Sequence, residues 1–229
     1  MGRISLAGVG MMFGALCAGG CGQRDPNAGG AIIDIVEGEK VAGTADFTGV
    51  GIVRWKNGRK KSEATFRNGK QHGLTTRWNE AGQKIEEYHF SEGVPCGRWR
   101  TWHDNGVMES QKFYKGGEWE TRSVGFGSTT LFVPHKHGTW RRWHENGQKA
   151  GEENYRKNKK HGRFAEWYPI GQPRWEMHYK NGKKHGKQTH WDHKGQLEAV
   201  RWYEGGRFTG RSLDYRDGKL IRRNGEPVQ

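Results

Sequence analysis

"TWRRWHENGQKAGEENYRKNKKHG" (residues 139–162) is followed by "AEWYPIGQPRWEMHYKNGKKHG" (residues 165–186), and the two run in step. In each, a tryptophan leads into a turn glycine, a tyrosine follows eight residues later, and Lys-Lys-His-Gly closes the stretch. Outward from this pair the same beat is carried by Trp55, Trp78, Trp102, Trp143, Trp167, Trp191 and Tyr215. The steps are 23, 24, 41, 24, 24 and 24 residues, the long one being a period plus 17. A fixed period of this size marks a repeat array, in which each unit leans on its neighbours for burial.

Three turn positions punctuate each unit. The first is Gly58, Gly82, Gly106, Gly147, Gly171, Gly195 and Gly218. The second is Gly69, Gly93, Gly117, Asn158, Gly182 and Gly206, and the third is Gly73, Gly97, Gly138, Gly162, Gly186 and Gly210. Asn158 standing in for glycine predicts a left-handed backbone at the second position, because asparagine tolerates positive φ better than other side chains. Asn57-Gly58, Asn105-Gly106 and Asn146-Gly147 sit between strand-like runs, a hairpin signal. Segments of about seven to eight residues separate the turns, a normal strand length. The expected fold is therefore all-β: an elongated single-layer antiparallel β-meander of repeated hairpins. Six hairpins at about 4.8 Å per strand would give a sheet roughly 60 Å long.

The cadence "W-x-x-NG…Y-x-NGK-x-HG" resembles the bacterial MORN-repeat variant family, in particular the YwqK-like antitoxin family, over roughly residues 52–218. The resemblance implies a twisted single-layer sheet. It says little about activity, since the family is defined by the repeat. The family name also implies an antitoxin or immunity role, against which an export signal argues. The final segment "LDYRDGKLIRRNGEPVQ" departs from the cadence after Gly218 and reads as a polar cap.

Composition sharpens the expectation. Hydrophobic residues make up 32% and the net charge is +14, a balance that ordinarily marks disorder. Eleven Trp and seven Tyr offset it, since each aromatic can bury roughly 150–250 Å². The seven beat aromatics are thus the expected repeat core, stacked as a ladder. Glu63, Glu87, Glu152 and Glu176 lie five positions after the first turn glycine, and Lys60, Lys84 and Lys149 lie two after it. Lys70, Lys159 and Lys183 follow the second turn. These charges are expected to form a solvated, salt-bridged face. The surplus stays positive: the leader carries one charge, Arg3, so its removal leaves +13. A basic strip suits anionic lipid, acidic wall polymer or an acidic protein.

Residues 1–20 read as an export signal, with Arg3 ahead of the weakly apolar run Ile4–Ala18. "Ala18-Gly19-Gly20-Cys21" resembles a bacterial lipoprotein signal, which implies lipidation at Cys21. Residues 21–50 are expected to be the lipidated N-terminus and a flexible tether, with one short strand allowed at Ala31–Val36. Residues 51–229 form the repeat domain. Three cysteines do not make a disulfide framework. Cys96 occupies a turn site held by histidine in other units.

The residues offer little chemistry. His72, His137, His161 and His185 recur at the repeat period, about 10 Å apart, too far to share one metal ion. His135 with His137, and His190, Asp192 and His193, are closer in sequence but lack a ligand pattern. Nucleophile-elbow, zinc-protease and phosphate-loop motifs are missing. No catalytic, cofactor-binding or metal-binding residue is expected. One stretch escapes the repeat, the insertion at about 118–134, "EWETRSVGFGSTTLFVP". Its Trp119, Phe126, Leu131 and Phe132 are candidate partner contacts, with structural cover of exposed aromatics as the other reading. The expected function is a non-catalytic protein of the cell envelope, membrane-anchored through its lipid, that binds a macromolecular partner, most simply a protein. Anionic lipid or cell-wall polymer on the basic face is the second expectation. The export signal argues against nucleic acid.

Overall fold

The computed structural model describes residues 31–37, 46–124 and 127–228. The leader, Cys17 and Cys21 lie outside the described residues, as does Phe126. The described residues form strands and turns with no helix. They divide into two compact units: Tyr114–His135 groups with the residues before Val107, and Val107–Phe113 with the residues after His135.

In the first unit, β1 (Ala31–Val36), β2 (Gly49–Arg54), β3 (Lys60–Arg67), β4 (Lys70–Trp78), β5 (Lys84–Ser91) and β6 (Val94–Trp102) follow in order. From β2 to β6 each strand pairs antiparallel with the next. The chain then runs through β7 (Met108–Val124) and β8 (Gly127–Lys136). In the second unit the start of β7 pairs with β9 (Gly138–Trp143), and β9 with β10 (Lys149–Arg156). The meander continues through β11 (Lys159–Lys160), β12 (Gly162–Trp167), β13 (Pro173–Lys180), β14 (Lys183–Trp191), β15 (Leu197–Glu204), β16 (Arg207–Arg216), β17 (Lys219–Arg223) and β18 (Glu226–Pro227). The expected antiparallel meander is what the chain forms.

Two departures concern the ends. Ala31–Val36 forms the short strand allowed for it, and the departure is that it joins the repeat sheet, pairing in parallel with β2, Ala31 opposite Gly49 through Val36 opposite Arg54. Asp34 receives a forked hydrogen bond from Arg54, with its shortest contact at 2.6 Å. The seventh unit does not abandon the hairpin rule after Gly218. It turns again at Asn224-Gly225, both at positive φ, and β18 closes back on β17.

The turns explain the period. At the second turn two residues separate paired neighbours: Asn68-Gly69 between Arg67 and Lys70, Asn181-Gly182 between Lys180 and Lys183. Both residues have positive φ, and so do Glu92-Gly93 and Lys157-Asn158. That is the type I′ hairpin turn, whose twist matches the flanking strands. The first turn has different chemistry. The Gly58 amide donates to the Trp55 carbonyl at 2.9 Å and the Trp55 amide to the Arg59 carbonyl at 2.8 Å. Three residues loop out and the third, glycine, is left-handed, the type I turn with a glycine bulge. At the third glycine one residue on one strand, Thr65, faces three on the other, His72, Gly73 and Leu74: Ala64 opposes Thr75, while Phe66 opposes Gln71. Gly73 takes φ 87° within that bulge.

The deepest packing does not lie on the tryptophan beat. Phe164 is 1% exposed, and Trp140, Tyr155 and Phe66 are also buried. Trp140, Tyr155, Phe164 and Tyr179 form a continuous ring series with centroids 5.1, 5.5 and 4.8 Å apart. Tyr88, Trp99 and Tyr114 form the equivalent series in the first unit, both steps 4.7 Å. Six of these rings come from two columns, the aromatic eight residues after the first turn glycine and the residue two after the third glycine; Tyr88, six after Gly82, stands outside them. The beat aromatics, Trp55 to Tyr215, are all half-buried.

Phe164→Ala is expected to destabilise the chain by about 3–5 kcal/mol. Ile170→Ala, at a residue 67% exposed, should stay within about 0.5 kcal/mol. Half-buried Trp167→Ala should fall between them. Urea unfolding of the three variants checks the order, and an equal cost for Phe164 and Ile170 would contradict this core.

Candidate functional site

The sheet surfaces are the chemistry of this protein, and they are built from strand position upward. The bulge beside the first turn brings the lysine at position two onto the glutamate at position five. Lys84 Nζ lies 2.6 Å from Glu87 Oε1, and Lys149 Nζ lies 3.3 Å from Glu152 Oε2. The same ammonium groups sit over the next beat tryptophan: Lys84 is 5.2 Å from the Trp102 ring centre and Lys149 is 4.9 Å from Trp167. Lys60 repeats the arrangement with Glu63 and Trp78. Arginines on the facing strand complete it: Arg100 reaches Glu87 at 3.0 Å, and Arg163 spans Glu152 at 3.3 Å and Glu176 at 2.8 Å. In each unit one face therefore carries a ladder of tryptophan, cation and carboxylate, in which cation–π and ion-pair contacts share the same charged groups.

The expected salt-bridged face is there, with Glu63 and Glu176 partly open to solvent, and the departure is at one residue. Glu87 is only 8% exposed. Burial alone would raise its pKa, but hydrogen bonds from Lys84 and Arg100 outweigh that and hold the carboxyl below its ordinary value. Glu152 behaves alike: burial pushes up, Lys149, Arg163 and Arg141 push down, and the net direction is down. On the ring-series face, burial raises the Tyr155 hydroxyl, as does its hydrogen bond to Glu153 at 2.7 Å.

Sequence reasoning missed a second column of lysines, two residues before the third glycine. Lys136 lies 4.5 Å from the Trp140 ring centre and 4.9 Å from Tyr155. Lys160 lies 5.0 Å from both Phe164 and Tyr179, and Lys184 4.7 Å from Tyr203. The text "KKHG" at 159–162 and 183–186 held the signal, but ring capping needs the bulge geometry to be seen.

The histidines stay apart. His135 faces Glu118 at 3.4 Å, His137 packs near Phe113, and His190 contacts Gln188 at 2.6 Å. Among the described residues no three His, Cys, Asp or Glu side chains gather as metal ligands would. Cys96 is 6% exposed in β6, opposite His89, and its sulfur is held in a disulfide rather than as a free thiol.

The insertion lengthens one hairpin. β7 continues through Val124, and β8 returns from Gly127. Phe132 is half-buried, and its ring leaves no room at Gly117, where a Cβ would fall 2.2 Å from the ring. An aromatic laid over a strand glycine restores packing that the glycine lacks. Trp119 and Leu131 lie on β7 and β8, and nothing of their side chains is described.

Two segments, residues 95–115 and 136–157, match the MORN repeat variant family, MORN_2. They fall on either side of the insertion, where the hairpins above recur. No curated protein matches the chain. The architecture is thus that of an antiparallel repeat sheet, two hairpin segments of which are similar to MORN variant repeats.

The depressed Glu87 and Glu152 pKa values make stability acid-sensitive. A carboxylate lowered on folding contributes stability that is present above its ordinary value of 4.5 and lost as pH falls through the folded value. The unfolding midpoint should hold between pH 8 and 6 and drop below about pH 4.5. Glu87→Gln should lower the midpoint at pH 7 and shrink the acid loss, since Lys84 and Arg100 lose their carboxylate. An unchanged acid slope in that variant would remove Glu87 from the account.

Proposed function

We propose that this protein is a non-catalytic binding scaffold, exported and held at the cell envelope by a lipid on Cys21, that engages a macromolecular partner. The observation that carries it is how the sheet uses its reactive groups. Glu87, Glu152 and Glu176, and on the opposite face Glu166, are each tied to cations, so the sheet offers regular, broad surfaces rather than a cleft with convergent free groups. MORN variant repeats support the binding role. An antitoxin-type role is the lesser reading, because the leader directs the chain away from intracellular targets.

The insertion is the place where a protein partner would find features the repeat lacks. Deleting Glu118–Pro134 joins Gly117 to His135 and restores the spacing seen between Gly182 and Gly186. The shortened chain should fold and lose affinity in pull-downs from detergent-solubilised envelope. Undiminished capture would exclude the insertion as the contact. Metabolic labelling with a fatty-acid analogue should mark the wild-type chain and leave Cys21→Ser unmarked; equal labelling would end the anchoring proposal.

A further inference from the structure

Two successive second-turn tips of the second unit carry "RKNKK" (156–160) and "KNGKK" (180–184), seven cations and no acid, while the next tip, Glu204–Arg207, holds one acid and one cation. All are exposed except half-buried Lys184. In the strands behind them, cations are neutralised: Arg141, Arg142, Lys149, Arg163, Arg174 and Arg201 each meet a carboxylate. None of the seven tip cations has a carboxylate partner among the described residues. Charge is thus spent inside the sheet and left open along one edge.

The fold does not require this. At the site of Lys136, Lys160 and Lys184 the first unit has Gln71 and Pro95 and forms the same hairpins. Its tip at Glu92 also carries an acid, paired with His72 at 3.1 Å. The open cationic row is a property of the second unit's own residues.

The row is preorganised. The Asn158 amide donates to the Lys136 carbonyl at 3.1 Å, the Gly182 amide to the Lys160 carbonyl at 2.8 Å, and the Gly206 amide to the Lys184 carbonyl at 2.9 Å. Successive tips are locked at a pitch of about 10 Å, two strand spacings. Lys159 and Lys160, like Lys183 and Lys184, are strand neighbours and project to opposite faces. A chain laid along the tips therefore meets cations on both sides, whereas a flat bilayer would meet only the outermost.

We propose, building on the binding reading above, that this edge grips a linear polyol phosphate, a phosphodiester polymer without bases or sugar rings. Charge complementarity selects a polyanion. Lysine dominates, which supplies point charge rather than the bidentate geometry of arginine. Protein interfaces are depleted in lysine and rely on apolar or aromatic anchors; residues 156–160 and 180–184 contain none. Bases bind single-strand readers by stacking on open rings. Here Tyr155, Tyr179 and Tyr203 already carry an ammonium over their faces, so ring-bearing polymers gain nothing from them.

Calorimetric titration of the full chain with poly(glycerol phosphate) at several salt concentrations tests this. Lys159→Gln/Lys183→Gln should weaken binding at least fivefold and flatten its salt dependence, as fewer counterions are released. Lys56→Gln/Lys194→Gln removes the same charge from exposed first-turn sites and should stay within twofold. Equal weakening in both variants, or no wild-type binding, overturns the proposal. Tighter wild-type binding at equal ionic strength to polyglutamate, oligo(dT) or phosphatidylglycerol vesicles would also overturn it, pointing to a peptide, a nucleic acid or a bilayer. If the polymer fails while an envelope pull-down still yields a partner, only this edge assignment falls. If both fail, the binding reading falls with it.

Discussion

A backbone hydrogen bond between successive repeats sets everything else. The second residue of each tip gives its amide to a carbonyl of the preceding repeat, as Gly69 does to Phe47, Gly93 to Gln71 and Gly182 to Lys160, each at 2.8 Å. That amide points correctly only because both tip residues are left-handed. L-residues other than asparagine and glycine resist this conformation by about 1–2 kcal/mol, yet Glu92 and Lys157 adopt it. The tie also fixes how far one hairpin stands from the next, and hence which rings and charges meet.

From that spacing the rest follows. Each face is only as thick as one layer of side chains, so no group can retreat far from water. The chain answers by letting one cation serve two partners. Lys84 lies on a tryptophan ring and on a glutamate at once. Aliphatic stems cover apolar surface while their charged ends are held in place. A protein with mean hydropathy −1.04 is ordered because its polar side chains act as packing material.

Much of this was legible in the residues. The hairpin period, the left-handed second turn and the interruption after Gly117 all follow from glycine, asparagine and aromatic spacing, since turn chemistry is local. What was not legible depends on register. The third glycine looks like another turn, yet it is a bulge, because only strand pairing shows Phe66 opposite Gln71. The glutamate column looked solvated because a period cannot tell a buried carboxylate from an exposed one; Glu87 is enclosed by Lys84, Arg100 and their neighbours. The beat tryptophans are the most visible residues in the text, but Phe164, which breaks no pattern, is the most buried. Ala31–Val36 was readable as a strand but not its parallel partner, which lies beyond a long connection.

The two ends of the meander are treated differently from its middle. An uncovered outer strand is a template on which another chain can add. At the start, β1 lies along β2 in the opposite sense to every other neighbour, and Gly49, φ 152°, admits the Ala31 carbonyl where a Cβ would collide. In the last described hairpin, β18 holds Pro227, which has no amide to offer a newcomer. A repeat that propagates by identical steps presents the same edge at each one; β1, by its reversed direction, and β18, by its proline, break that sameness.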